Sequence, residues 1–448
     1  MTRRPVRHAA PRIQPTRGPA HARNLRGHGA LRAVGMAATA VLAFVGVGGA
    51  TAAVTLTGNI TAVDAEEALG EDRPDKVVPD DPNAGVPLNI LVLGSDSREG
   101  VNADVVADGN EGARADTTMI LHISADRSRV EVVSVPRDST VDIPSCPTSS
   151  GGETAPLYKT KFNAAFASGY DTGGDVESGA LCVMKTLETL TDVRMDGFVV
   201  VDFAGFQKMI DAIGGVEICI PQRIESRKAD NLVLEAGVQE LDGLTALKYA
   251  RARTGAGLGD GSDIGRIGRQ QELMAALART VLDQNLLTDS PQLLQFLGAV
   301  TGSLTMSSNF ASVQGLAGLA YSVRNVRPDT IAFMTVPFEY DPDNPANVVW
   351  TSEAADVWDN MNYDRPLSDA VAQPEAEASP SPSTSAGEGT AGEQPAAPEE
   401  PAPSEEAPEA EPAPDAASPE PSPTRTREAG KEAFTSADVT AVCGSTVG

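Results

Sequence analysis

The chain has 448 residues, room for one large domain or two ordinary ones. A formal net charge of -27 excludes a general nucleic-acid binder, because the summed field repels a phosphate backbone. Apolar residues make up 41% of the chain and aromatics only 4%, so a core is affordable but rests on aliphatic side chains.

The charge is unevenly placed. Residues 1–32 carry eight arginines and no acid, a basic arm too short and simple to read nucleic acid. Residues 33–63 carry no charged side chain. About 20 apolar residues cross a bilayer, so a transmembrane signal-anchor is expected at 33–58. The arginines before it place the amino end in the cytoplasm and all that follows outside the cell. A cleaved signal peptide is the alternative, although the apolar run is longer than such a peptide needs. Residues 59–87 are acidic with Pro and Gly and read as a linker.

A folded domain is expected over 88–365. Leu88-Asn-Ile-Leu-Val-Leu93, Thr117-Thr-Met-Ile-Leu121 and Val130-Glu-Val-Val-Ser134 are apolar runs suited to buried strands and too short for free-standing helices. Beside them stand Asp96 and Arg98, Arg114 and Asp116, Arg137 and Asp138. If the strands pair, both signs gather at one rim of one sheet. Guanidinium forks suit phosphate oxygens, and carboxylates suit a hard divalent cation. Together they suggest a site for a metal-bound diphosphate; ordinary ion pairs at strand ends are the bland alternative.

Residues 99–113 read as a flexible loop over this rim, and 141–156 as a second loop. Helical spacing covers 161–166 and 176–190, a strand 197–203, a helix 204–213 closed by Gly214 and Gly215, and a strand 216–220. Strands alternating with helices imply an α/β layered fold. Arg251 and Arg253 share a face if their stretch is extended. A glycine-rich loop, 254–261, leads to a helix capped by Ser262 or Asp263 and running to about Asp283. On it Asp263, Arg266, Arg269 and Gln270 are expected on one face. Arginines in a first turn oppose the helix dipole by about 0.3–1 kcal/mol each. That placement makes sense if an anion sits in front of the helix. Helices at 290–304 and 310–323 and a strand at 330–336 complete the domain.

Residues 366–433 are rich in Pro, Ala, Glu and Ser and cannot bury enough apolar surface to fold. Residues 434–448 regain apolar character and carry Cys443. Cys146, Cys182, Cys219 and Cys443 all follow the anchor, and four cysteines allow three pairings. The expected pairs are Cys146–Cys182 and Cys219–Cys443, the second docking the terminal segment; free buried thiols are the alternative. No two cysteines have zinc-ligand spacing. No Ser-His-Asp set is credible either, since three of the four histidines precede the anchor and His122 sits mid-strand, where packing is the expectation.

The motifs Gly94-Ser-Asp-Ser-Arg98, Arg114-Ala-Asp-Thr-Thr-Met119, Val135-Pro-Arg-Asp138, Lys161-Phe-Asn-Ala-Ala-Phe166, Asp242-Gly-Leu-Thr-Ala-Leu-Lys-Tyr-Ala-Arg-Ala-Arg253 and Asp263-Ile-Gly-Arg-Ile-Gly-Arg-Gln-Gln271 occur in this order. Together they resemble the LytR-CpsA-Psr family over residues 88–285. The resemblance implies an α/β fold with a mixed central β-sheet flanked by helices on both faces. It implies a membrane-anchored phosphotransferase that moves a glycan-1-phosphate from a polyprenyl diphosphate to peptidoglycan, or to a glycosylated surface protein, with Mg2+ or Mn2+. By motif, Asp96 and Asp116 resemble the metal-binding acids. Arg98, Arg114, Arg137, Arg251, Arg253, Arg266, Arg269 and Gln270 resemble the head-group contacts. Asp116 and Asp263 are the candidates for the base, with Arg137 beside them. A signalling or transcription-attenuating protein and a diphosphate hydrolase are the competing readings. The insert between Arg98 and Arg114, and the Pro/Glu segment before Cys443, depart from the family pattern.

Overall fold

The computed structural model describes residues 61–76, 85–96, 113–259, 261–284, 296, 304–368 and 430–439. The span expected in the membrane, Arg98, most of the loop over 99–113, most of the helix expected at 290–304 and Cys443 lie outside the described residues.

The strands, in chain order, are β1 (Thr61–Val63), β2 (Leu88–Ser95), β3 (Ala115–Ile123), β4 (Val130–Ser134), β5 (Thr140–Ile143), β6 (Leu157–Lys161), β7 (Gly197–Val201) and β8 (Val216–Ile220). They continue with β9 (Ile224–Ser226), β10 (Leu232–Leu234), β11 (Gly237–Leu241), β12 (Leu304–Ser307), β13 (Ile331–Thr335), β14 (Phe338–Tyr340), β15 (Val348–Trp350) and β16 (Phe434–Thr435). The α-helices are α1 (Ala65–Leu69), α2 (Ala164–Gly173), α3 (Val176–Thr191), α4 (Phe203–Ala212), α5 (Gly243–Arg251), α6 (Asp263–Asp283), α7 (Val313–Ser322) and α8 (Glu353–Asn362).

Eight strands form one sheet in the order β1-β12-β7-β2-β3-β4-β13-β16. β2 pairs antiparallel with β3 and parallel with β7, and β4 pairs parallel with β13, so the sheet is mixed. Successive side chains of a strand point to opposite faces. Val133 on β4 joins a core with Leu91, Phe198 and the α3 residues Leu181 and Leu187. Its neighbour Val132 joins the opposite core, with Met119, Phe333 and the α6 residues Leu273 and Leu277. Helices thus cover both faces.

Asp175, Asp202, Asp242 and Ser262 cap α3, α4, α5 and α6, each side chain accepting a backbone N–H three residues on. Cys146 and Cys182 form a disulfide that ties the loop after β5 to α3. Cys219 on β8 is also disulfide-bonded. His122 is fully buried, with Nδ1 2.8 Å from Asn89 Oδ1 and Nε2 3.1 Å from Asp364 Oδ1, a packed residue as expected.

Four expectations change. Residues 61–76, inside the span read as a linker, supply edge strand β1 and helix α1. They are held by Arg73, whose guanidinium grips Glu188 at 2.5 and 2.9 Å and the Met195 carbonyl at 2.7 Å. Lys161, expected to begin a helix, ends β6, and the helix starts at Ala164. Part of the loop expected at 141–156 is strand β5, paired with β6. Leu304, expected to end a helix, opens β12, where pairing with β7 and β1 overrides local spacing.

Candidate active site

Three strand ends build one wall. Gly94 lies opposite Thr117 and Ser95 opposite Ala115, so Asp116 is the extra residue of a β-bulge between β2 and β3. A bulge re-aims a side chain and breaks the ladder locally. Gly94 suits this close approach, since a Cβ there would meet the Thr117 Cβ at 3.1 Å. The main chain past the bulge is pinned by Asp96 N–H donating to the Arg114 carbonyl at 3.0 Å and Arg114 N–H donating to Asp96 Oδ1 at 2.5 Å. β4 continues through Val135, whose N–H donates to the Thr118 carbonyl at 2.9 Å, and brings Arg137 beside Asp116.

Two other elements face this wall. α5 ends at Arg251, and Ala252 turns to extended backbone before Arg253. α6 presents Arg266 and Gln270 from its first turns. Gln271 anchors this helix to the strand ends, its Nε2 donating to Ser134 Oγ, the Met334 carbonyl and Thr335 Oγ1 at 2.9–3.1 Å.

The outcome is a compact charge cluster. Arg137 Nη1 is 2.5 Å from Asp116 Oδ1, and Arg137 Nε is 3.1 Å from Asp263 Oδ1. Arg266 Nη2 is 2.5 Å from Asp263 Oδ1 and donates to the Asp116 carbonyl at 3.0 Å, while its Nη1 is 3.7 Å from Asp116 Oδ2. Arg253 Nη2 is 3.5 Å from Asp116 Oδ2. The Arg266 side chain is 2% exposed, Asp263 11% and Asp116 28%, so these ions are poorly screened by water.

The two acids are driven apart. Burial pushes the Asp116 carboxyl up, but the guanidiniums of Arg266, Arg137 and Arg253 outweigh it and hold the group below the usual carboxylate range. At Asp263 burial wins over Arg266 and Arg137, and the carboxyl is raised. Burial also pushes the Arg266 guanidinium down to about 10, against the pull of Asp263 and Asp116, and leaves it a cation at neutral pH. Neither oxygen of Asp263 has a well-directed hydrogen bond among the described residues. The Asp263–Arg266 pair is thus close but uncomfortable, because desolvation costs both ions.

The cluster opens on a cavity of about 620 Å³. Its charged and amide lining includes Asp96, Arg114, Asp116, Arg137, Arg251, Arg253, Arg266 and Gln270. Its apolar lining includes Val92, Met119, Phe203, Phe206, Leu273 and Met274. The Arg251 guanidinium stacks 4.6 Å from the Phe203 ring, so cationic and apolar lining meet there. The two arginine sets, far apart in sequence, therefore meet.

Arg269 does not join them. One residue advances a helix by about 100°, which carries Arg269 round from the face shared by Asp263, Arg266 and Gln270. Its guanidinium donates to the Leu258 carbonyl at 3.4 Å and to the Ala252 carbonyl, clamping the glycine-rich loop from behind. Arg251 and Arg253 both reach the cavity, although Arg251 is helical and only Arg253 extended. Lys228, Lys248, Phe203 and Phe206 also line it and were not singled out from sequence. The usable signal was the strand-to-helix junction at Val201-Asp-Phe203.

Among the described residues no group of three or more His, Cys, Asp or Glu forms a metal cage. Asp96 and Asp116 on one cavity wall nonetheless suit Mg2+ or Mn2+, hard ions that bind one or two carboxylates and take their other oxygens from substrate phosphates.

The model of the LytR_cpsA_psr family matches residues 52–363. LcpB of Corynebacterium glutamicum, a probable cell wall biosynthesis protein, is 32% identical over 278 residues, covering 60% of this chain and 59% of LcpB. TagV of Bacillus subtilis, a polyisoprenyl-teichoic acid–peptidoglycan teichoic acid transferase, is 29% identical over 195 residues, 43% of each chain. A LytR-Csp2A-Psr enzyme from Actinomyces oris, a solved structure, aligns over 67% of this chain and 95% of its own at 22% identity, with a TM-score of 0.46. This chain spans less than two thirds of the length of either curated relative.

Proposed function

The chain belongs to the LytR_cpsA_psr family, and from that premise we propose that it is a membrane-anchored phosphotransferase acting on the cell wall. It takes a glycan-1-phosphate from a polyprenyl diphosphate and joins it to a hydroxyl of peptidoglycan or of a glycosylated surface protein. In this reading the residues at 33–58 anchor it, with the amino end cytoplasmic and the catalytic domain outside the cell. The relatives named as a wall biosynthesis protein and as a teichoic acid transferase support this assignment.

The observation that carries it is one cavity lined by both guanidiniums and apolar side chains. A lipid-linked diphosphate has this polarity. Arg114, Arg137, Arg253 and Arg266 bind the diphosphate oxygens, and Phe203, Phe206 and Met274 receive the first isoprene units. Arginines serve here because they stay charged and bind in a fork. Asp116, now shared by three guanidiniums, holds them in place until the diphosphate displaces it as their partner.

Phosphoryl transfer asks mainly for positioning and charge neutralisation. The acceptor oxygen attacks the glycan-side phosphorus, a P–O bond forms, and the bond to the bridging oxygen breaks. Polyprenyl phosphate leaves with the electron pair, held by the arginines. The acceptor proton goes to Asp263, whose raised carboxyl is the better base, while the depressed Asp116 stays ionised. Asp96 and Asp116 would hold Mg2+ or Mn2+, which would supply Lewis-acid neutralisation of the diphosphate charge.

Purified full-length protein in detergent, given labelled lipid-diphosphate glycan and insoluble peptidoglycan, tests the reading. Label in the insoluble wall is expected. Free glycan phosphate would instead make the protein a hydrolase, and unreacted donor would remove the enzymatic reading.

A further inference from the structure

A second cavity, of about 340 Å³, is lined by a neighbouring face of α6. Ser262, Gly265, Arg269 and Glu272 line it, whereas Arg266, Gln270, Leu273 and Met274 line the other. Both cavities therefore adjoin the amino-terminal half of α6. The walls of the second cavity come from distant segments. Gly257 and Gly259 belong to the glycine-rich loop, Tyr340 to β14, and Lys431 to the stretch leading into β16. Gly430 sits so close to α6 that a Cβ there would meet the Ile264 carbonyl oxygen at 2.3 Å. β16 then pairs with β13, and Phe434 stacks 5.4 Å from Phe333. This segment lies beyond the residues matched by the family model.

We propose that this second cavity is a saccharide subsite that seats the acceptor glycan, an inference that rests on the phosphotransferase reading. The chemistry of the lining selects the class of ligand. Tyr340 is 49% exposed and offers an aromatic face to a sugar ring. Inside, the Tyr249 hydroxyl donates to Glu272 Oε2 at 3.1 Å, a pair suited to sugar hydroxyls. Arg269 is 7% exposed, and its Nε–H has no hydrogen-bond partner among the described residues. A buried donor of this kind is costly unless something accepts from it, and a hydroxyl or carboxylate oxygen would. Glu272 offsets one of the two cations, Arg269 and Lys431, so a diphosphate gains less here than among the guanidiniums of the first cavity. Pro221, Ile224, Leu258 and Ile264 add an apolar wall suited to the C–H face of a sugar ring, beside the polar groups of Tyr249, Glu272, Arg269 and Lys431. A neutral or singly anionic polyhydroxylated ring fits what remains. The donor's diphosphate and lipid already have their places in the first cavity; of the two sugars that remain, the acceptor is assigned here, and separate acceptor and donor KM values tell it from the donor glycan. A glycan lying in the second cavity crosses the amino end of α6, where Asp263 stands, to reach the diphosphate. Because Lys431 comes from the appended segment, acceptor preference would be particular to this chain.

The test uses full-length protein in detergent and a soluble N-acetylhexosamine tetrasaccharide as the probe. Wild type should bind it. Tyr340→Ala and Lys431→Ala should each weaken binding by about tenfold, while Tyr340→Phe, which keeps the ring, stays near wild type. In transfer assays the same two variants should raise the acceptor KM by a similar factor and leave the donor KM unchanged. An unaltered thermal midpoint separates lost binding from lost folding. If the protein transfers nothing, yet Tyr340→Ala abolishes tetrasaccharide binding, the subsite stands and the phosphotransferase reading falls. If transfer proceeds and both variants leave tetrasaccharide affinity and acceptor KM untouched, or wild type does not bind the probe, the subsite is overturned and transfer is not.

Discussion

Replacing Asp263 by Asn keeps the shape of the side chain and removes its capacity to take a proton. Asp263 Oδ1 lies 2.5 Å from Arg266 and 3.1 Å from Arg137, yet burial still raises the carboxyl. A positioned base contributes about 10²–10⁴ in rate, or about 3–5 kcal/mol of barrier. The chemical step of Asp263→Asn should therefore slow by about that factor. Donor affinity should hold or improve, because two guanidiniums lose a competing anion. The stability sign is opposite to that of an ordinary ion-paired acid. With a folded value above the unfolded one of about 3.9, the contribution of Asp263 is complete below that pH and is lost as pH rises through the raised value. At neutral pH the wild type thus carries a buried charge that the Asn variant does not, and the variant lacks this pH-dependent loss. Single-turnover transfer between pH 4.5 and 8 reads the rate, and denaturant melts at the two ends read the stability. The acid limb of the wild-type profile should vanish in the variant. A variant keeping more than a tenth of the wild-type rate, with the same acid limb, would refute the assignment of Asp263 as base.

Arg266→Lys keeps the charge but loses the planar guanidinium, whose Nη2 reaches Asp263 and the Asp116 carbonyl while its Nη1 faces Asp116 Oδ2. Transfer should fall about 10–100-fold, read as kcat/KM for the donor. Asp96→Asn removes one of two carboxylates offered to the metal, so the Mg2+ concentration for half-maximal activity should rise at least tenfold in a metal titration, and chelator should silence wild type and variant alike. Cys146→Ala with Cys182→Ala opens a bridge spanning 36 residues; chain entropy alone puts the loss at about 4 kcal/mol, measurable by denaturant unfolding under non-reducing conditions.

Much of the site could be read along the chain because its signals are local. Short aliphatic runs ending in Arg and Asp gave β2, β3 and β4 with their charged tips. Ser262 before a helical pattern gave the start of α6, and the spacing of Arg266 and Gln270 gave the face it turns to the cavity. Other features depended on partners distant in sequence. The bulge that singles out Asp116 exists only in the register of β2 against β3. Arg73, in an acidic and unpatterned stretch, is buried because Glu188 waits for it, 115 residues on. β1 and β16 are strands of two or three residues, with no periodicity to detect, and form because sheet edges accept them. Arg269 shares its residue type with Arg266 and its helix, but backbone carbonyls behind α6 claim it. Sequence by itself determined which residues carry charge and which local elements they end, since propensity and period act over a few residues. Only the tertiary structure decided which charges meet, because burial and pairing are set by what folds against them.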